Sequence, residues 1–155
     1  MNNAEAGGSD SRIHASTIAI GEAGVLIRGK SGAGKSVLAL ALITLAKQEG
    51  LFARLVADDR TALSVRGGRL LARPVAPLEG LVERRGFGLT PEPHIPAIVV
   101  RLIVDVSGEE PPRMPEAEDL VAQLVGIDLP RLTAMGRPGD ERLVLAALKL
   151  FIDSG

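Results

Sequence analysis

Gly29-Lys30-Ser31-Gly32-Ala33-Gly34-Lys35-Ser36 fits the pattern G-x-x-x-x-G-K-[ST]. An apolar run, Val25-Leu26-Ile27, leads into it, and a Leu/Ala-rich segment from Lys35 to Glu49 leads out, closed by Gly50. Leu and Ala are strong helix formers, and a glycine just past such a run is a common helix stop. The octet therefore reads as a P-loop between a strand and a helix. Its glycines let the backbone approach a polyphosphate closely, with successive N–H groups aimed at it from the positive end of the helix. Lys35 is placed to reach the β- and γ-phosphates, and the Ser36 hydroxyl to join a Mg²⁺ shell. A nucleoside polyphosphate with Mg²⁺ is the expected ligand.

Composition narrows the class. The chain has 155 residues, a net charge of −1, no cysteine, no Trp, no Tyr and three Phe. That length allows one domain with a real core. The balanced charge gives no case for nucleic acid or an anionic membrane, and the scarcity of aromatics removes stacking platforms for single strands. Without cysteine there is no disulfide framework and no thiolate metal site. Met1 to Ser11 is polar, has no apolar signal-peptide core, and is expected to be a disordered tail before a single domain spanning 12–155. No apolar run reaches membrane-spanning length. A soluble cytoplasmic protein is the expectation.

Ile13 to Ile20 reads as a strand, Gly21 to Gly24 as a turn, and Val25 to Arg28 as the strand feeding the loop. Leu55-Val56-Ala57 is a short apolar strand that runs into Asp58-Asp59. P-loop enzymes use such a strand end to bring a carboxylate beside Mg²⁺ and the γ-phosphate. Two strands flank Arg66-Gly67-Gly68-Arg69, a hairpin turn signal. Glu83 to Gly88 reads as a charged loop, and Pro91, Pro93 and Pro96 as a stiff connector. Ala97 to Val106 is the most apolar strand and is expected to be central. Ser107 to Glu118, rich in Pro and acids, reads as a loop. The short apolar stretches from Leu120 to Leu132 fit strand and helix equally well. Glu141 to Ile152 has helical spacing.

Taken together, several stretches resemble the catalytic domain of HPr kinase/phosphorylase, in the short form that lacks the N-terminal domain. The resemblance runs from His14 to Phe151. His14 precedes the loop lysine by the distance of the family's active-site histidine. Leu55-Val56-Ala57-Asp58-Asp59-Arg60 resembles the family's Val-Ala-Asp-Asp strand end. Val82-Glu83-Arg84-Arg85-Gly86-Phe87-Gly88 resembles the signature Leu-Glu-x-Arg-Gly-x-Gly. Arg113-Met114-Pro115 resembles the neighbourhood of a catalytic arginine, and Gly126 to Pro138 the segment leading into a Pro-Gly-Arg loop.

The resemblance implies an α/β fold, a P-loop kinase-like core with a mixed central sheet, the P-loop between a strand and a helix, and a C-terminal helix. It implies a homo-oligomer, a hexamer in the family, that phosphorylates a seryl residue of the phosphocarrier protein HPr from ATP. Phosphorolysis of phosphoseryl-HPr by inorganic phosphate would release pyrophosphate in reverse. Asp59 would be the base, Glu83 and Ser36 would hold Mg²⁺ with Asp58 as a further contact, and His14 and Arg113 would orient phosphate oxygens. A carboxylic acid suits the base role because it is ordinarily ionised at neutral pH. There are departures: Val37 stands where the family has Glu or Asp, and Asp140 where its loop has Arg. The second reverses a charge at a phosphate-handling loop, so weakened phosphorolysis is expected. Two other readings stand beside this one, a P-loop kinase of a small metabolite and an ATP-binding regulatory module that transfers nothing.

Overall fold

A computed structural model describes residues 11–154 of the chain. Strands β1 (Ser11–Ile20) and β2 (Ala23–Arg28) form an antiparallel pair, and α1 (Lys35–Gln48) follows the glycine-rich loop. Strands β3 (Ala53–Ala57), β4 (Arg60–Arg66) and β5 (Arg69–Pro74) come next, then the hairpin β6 (Leu81–Arg84) and β7 (Gly88–Pro91). Strand β8 (Ile98–Val106), a 3₁₀ turn (Ala117–Leu120), β9 (Val121–Leu124), β10 (Ile127–Ala134) and α2 (Asp140–Ser154) complete it. The glycine-rich octet therefore lies between a strand and a helix, as its flanks predict.

The main sheet is mixed. β2 and β10 run parallel to β8 on its two sides, while β1 is antiparallel to β2. β8 is thus central, as its apolar run predicts. Its N-terminal end also pairs with β5 (Leu71 with Val99, Ala72 with Ile98), so β8, β2, β1, β4 and β5 close into a ring. This double pairing is compatible with one irregularity. Gly24 pairs with Val100 and Val25 with Leu102, leaving Arg101 as an extra, exposed residue. Such a bulge shifts the side-chain alternation by one. Val100 and Ile103 consequently face one core, and Leu102 and Val104 the other.

Those two cores organise the molecule. On one side of the sheet, Leu38, Leu42 and Ile43 of α1 and Val144, Leu145 and Leu148 of α2 pack on Ile18, Val25, Ile27, Leu55, Leu102 and Val104. Inside the ring, Ala15, Leu26, Leu63, Leu70, Ala72, Val100 and Ile103 form the second. Each fully buried Leu or Ile contributes about 1.5–3 kcal/mol. The two helices run side by side in the same direction. Gly136, before α2, lies against Ala33, before α1, and Lys149 near the end of α2 bonds Glu49 at the end of α1.

β3 and β4 lie along one edge of β1. Thr17 pairs with Ala57 and His14 with Arg60, three residues apart on both strands, so Ser16 falls opposite Asp58 and Ala15 opposite Asp59. At Asp58-Asp59 the strand is pinched rather than shifted. The Arg60 N–H donates to the Asp58 carbonyl at 2.7 Å, and Asp59 between them has φ +63°. An earlier irregularity, with Thr17 opposite Ala57 but Ile18 opposite Leu55, inserts Val56 as an extra residue.

Three expectations are corrected or resolved here. Glu83 to Gly88, read as a loop, supplies the end of β6, the turn and the start of β7. The ambiguous stretch from Leu120 to Leu132 is the strand pair β9–β10. Ser11, the last residue of the expected tail, opens β1 opposite Leu63, while residues 1–10 lie outside the described part. Among the described residues no helix is long and apolar enough to cross a membrane.

Across β2, β8 and β10 runs an ionic clamp. Arg28 donates to both oxygens of Asp105, at 2.7 and 2.9 Å, and Arg131 bonds the same carboxylate from the other side. Burial works to raise the pKa of Asp105, but the hydrogen bonds and charges of Arg28 and Arg131 outweigh it and hold the carboxyl below its usual value. A depressed folded-state pKa stabilises the fold above the unfolded value and loses that contribution as pH falls through the folded one. In an Arg131→Met variant the folded pKa of Asp105 moves up, so acid unfolding, followed by circular dichroism, is expected to begin at higher pH than in the parent.

Candidate active site

The glycine-rich loop is built to leave donors free. Gly34 caps α1 with φ +102°, a conformation costly for residues with a Cβ, and no side chain caps the helix. No acid occupies the first turn of α1, so its first N–H groups and its positive end are open to an anion. The loop is backed by the segment before α2. A Cβ on Gly136 would come within 2.8 Å of the Ala33 carbonyl oxygen.

Lys35 is 4% exposed, yet its ammonium lies at the loop, donating to the carbonyls of Gly29 at 2.9 Å and Lys30 at 3.0 Å. Asp59 Oδ1 is 3.6 Å from the same nitrogen. Lys35, Ser36, Asp59 and Glu83 line one cleft of about 200 Å³ together with Ser31, Gly32 and Gly34 of the loop, Val37 and Arg85.

Asp58 is the hub behind that cleft. Its Oδ1 accepts from the Ser36 hydroxyl at 2.6 Å and the Ser16 hydroxyl at 2.9 Å, and its Oδ2 from the Glu83 N–H at 3.0 Å. One carboxylate therefore ties together the start of α1, the middle of β1 and the β6–β7 hairpin. Because Ser36 donates its only proton to Asp58, its lone pairs remain available for a cation.

The other candidates are placed differently. His14 is exposed on β1 opposite Arg60. It shares the face of Ser16, about 7 Å farther along the strand, but makes no hydrogen bond to the acid pair. Arg113 is exposed on the 107–116 loop; it neither lines the cleft nor bonds to any residue that does. Asp140 turns its carboxylate onto its own loop, where Oδ2 accepts the N–H groups of Gly136 and Arg137, both at 2.8 Å.

Sequence reasoning missed Ser16 and gave Arg85 no role. A serine set within the apolar run of β1 was the only signal for the first, and it names no partner. For Arg85 the signal was its place at the Arg of the Leu-Glu-x-Arg-Gly-x-Gly resemblance, although its approach to the cleft depends on the β6–β7 hairpin.

Residues 8–91 match the family described as the HPr Serine kinase C-terminal domain, more than half of the chain. The chain belongs to the HPr kinase/phosphorylase family. Among members of that family, the HPr kinase/phosphorylase of Geobacillus thermodenitrificans is 30% identical over 144 residues, 86% of this chain and 45% of that protein. That of Mycoplasma mycoides subsp. mycoides SC is 42% identical over 76 residues, 49% of this chain and 22% of the relative. The chain thus spans less than half the length of these HPr kinase/phosphorylase relatives and corresponds mainly to their C-terminal domain. The solved structure of the Hpr(Ser) kinase/phosphatase from Coxiella burnetii superposes with a TM-score of 0.72, covering 93% of both chains at 24% identity, which establishes the shared fold.

Proposed function

We propose that this chain is an ATP- and Mg²⁺-dependent protein-serine kinase of the cytoplasm whose acceptor is an HPr-type phosphocarrier. The observation that carries the reading is the shared cleft. Lys35 and the free N–H groups of the loop face Asp59 across it, with Glu83 and the Ser36 hydroxyl on its walls. Phosphoryl transfer relies on positioning and charge neutralisation. Lys35 and the loop N–H groups hold the nucleotide phosphates, and Asp59 takes the proton of the acceptor hydroxyl.

The donor set fits Mg²⁺, a hard cation that binds one or two carboxylates and keeps water and phosphate oxygens as its other ligands. Among the described residues no group of three His, Asp or Glu side chains encloses a cation alone. Ser36 and Glu83 would hold the ion with the nucleotide's help. Asp58, taken up by three protein donors, acts by orienting Ser36. When bound, the ion neutralises charge on the phosphates. Arg85 adds positive charge to the same cleft, while His14 and Arg113 meet phosphate oxygens only once an acceptor is docked. The hexamer implied by the family belongs to this reading.

Phosphorolysis is proposed to be weakened. Asp140 brings a negative charge to the loop beside Ala33 and spends it on that loop's own amides. A second reading, an ATP-binding module without transfer, is favoured by one observation: Val37, 70% exposed, stands in the wall of the cleft where the family has an acid. Incubation with labelled ATP and HPr separates the two. Acid-stable, base-labile label on a seryl group of HPr supports the kinase; tight nucleotide binding with no labelled protein supports the module and overturns the kinase. Release of pyrophosphate from phosphoseryl-HPr at a rate matching kinase turnover would refute the weakened reverse reaction.

A further inference from the structure

We infer that Ser16 is a positioning residue for the acid pair, setting through one hydroxyl where Asp58 and Asp59 stand. The inference rests on the kinase reading for its effect on turnover, and on geometry alone for its effect on Asp59.

Ser16 is wholly buried in the middle of β1, directly opposite Asp58. Its Oγ donates to Asp58 Oδ1 at 2.9 Å and accepts the Asp59 N–H at 3.0 Å. A hydroxyl has a single proton. Once that proton is given to Asp58, only a lone pair is left for Asp59, so the two bonds fix each other's direction.

The two aspartates depend on Ser16 unequally. Asp58 has two further donors, the Ser36 hydroxyl and the Glu83 N–H. The Asp59 N–H has Ser16 Oγ, and the remaining tether of this residue to β1 is its carbonyl, which accepts the Ala15 N–H at 3.0 Å. Asp59 also holds φ +63°, a left-handed conformation that aspartate visits only occasionally. Loss of the hydroxyl therefore releases Asp59 while Asp58, Ser36 and Lys35 stay in place. The step that needs Asp59 suffers, and nucleotide binding on the loop does not.

The neighbouring Thr17 supplies a control for the general cost of removing a buried hydroxyl. Its side chain faces away from the acid pair, and its Oγ1 lies 2.9 Å from Thr61 Oγ1. The experiment compares Ser16→Ala and Thr17→Val with the parent in three readouts: phosphate transfer to HPr, Mg-ATP affinity, and hydrogen exchange of the Asp59 amide. Ser16→Ala is expected to lower turnover about tenfold, a fraction of the full contribution of a positioned base because Asp59 is misaligned and not removed, with Mg-ATP affinity within about threefold and faster Asp59 exchange. Thr17→Val is expected to keep parental turnover and Asp59 exchange. Unchanged turnover in Ser16→Ala, a parallel loss of Mg-ATP affinity, or an equal loss in Thr17→Val overturns the inference. If the parent transfers no phosphate at all, the kinase reading fails and exchange alone decides: equal Asp59 exchange in parent and Ser16→Ala then refutes Ser16, and faster exchange in the variant upholds it.

Discussion

An Asp59→Asn variant is expected to bind Mg-ATP like the parent and to transfer phosphate about 10²–10⁴-fold more slowly, the usual contribution of a positioned base. The substitution is chosen for its backbone as much as for its side chain. Asp59 sits at φ +63° in the pinch between β3 and β4, and Asn is one of the few residues that enters this region readily. The pinch, the Arg60-to-Asp58 hydrogen bond and the Ser16 contact all survive, so the change is confined to a carboxylate oxygen. Asp59→Ala would mix lost chemistry with backbone strain. Label transfer to HPr, run beside a fluorescence titration with a nucleotide analogue, measures both quantities. Transfer at more than about a tenth of the parental rate would remove Asp59 from the base role.

The second large effect belongs to Lys35. Its ammonium is withdrawn from solvent, held by two loop carbonyls and facing Asp59 at 3.6 Å. Charge-assisted hydrogen bonds contribute about 1.5–3 kcal/mol each, so Lys35→Met is expected to weaken Mg-ATP binding about 10- to 150-fold, and turnover should fall at least as far. Lys35→Arg is expected to restore little. Guanidinium is planar and bulkier than ammonium, and the space between the Gly29 and Lys30 carbonyls admits a compact donor. Calorimetric titration with Mg-ATP tests both variants; parental affinity in Lys35→Met would place the phosphates elsewhere on the chain.

What the sequence disclosed was local. Gly29 to Ser36, the helix to Gln48 and the apolar strand ending at Asp58-Asp59 each carry their signal in adjacent residues, and each appears where expected. The β6–β7 hairpin was hidden because its pairing residues Glu83 and Arg84 are charged. The apolar pattern there is reduced to Leu81, Val82 and Leu89. β9 and β10 were ambiguous because their apolar residues come in short runs, broken by Gln123, Gly126, Asp128 and Pro130, that fit either period. The closing of β8 onto β5 was illegible for a different reason. It goes with one bulged residue, Arg101, whose effect appears only when Gly24 and Val25 are aligned against it. In the cleft, motif positions fell together, but Ser16 meets its partners across 42 and 43 residues. No pattern along one chain encodes that meeting.

The pinched edge has one more consequence. Leu55 belongs to the helix-side core and Leu63 to the core inside the ring, although their even separation would place them on one face of a regular strand. The extra residue at Val56 reverses the faces, and the acid pair lies between that reversal and Leu63. The segment is therefore anchored at both ends like a rod set in two walls. Inserting or deleting one residue between Ala57 and Leu63 would turn Leu63 outward as surely as it would displace Asp59. The distance between the two carboxylates and the glycine-rich loop is gauged by hydrophobic packing on either side, so selection for a stable fold also guards the placement of the acid pair.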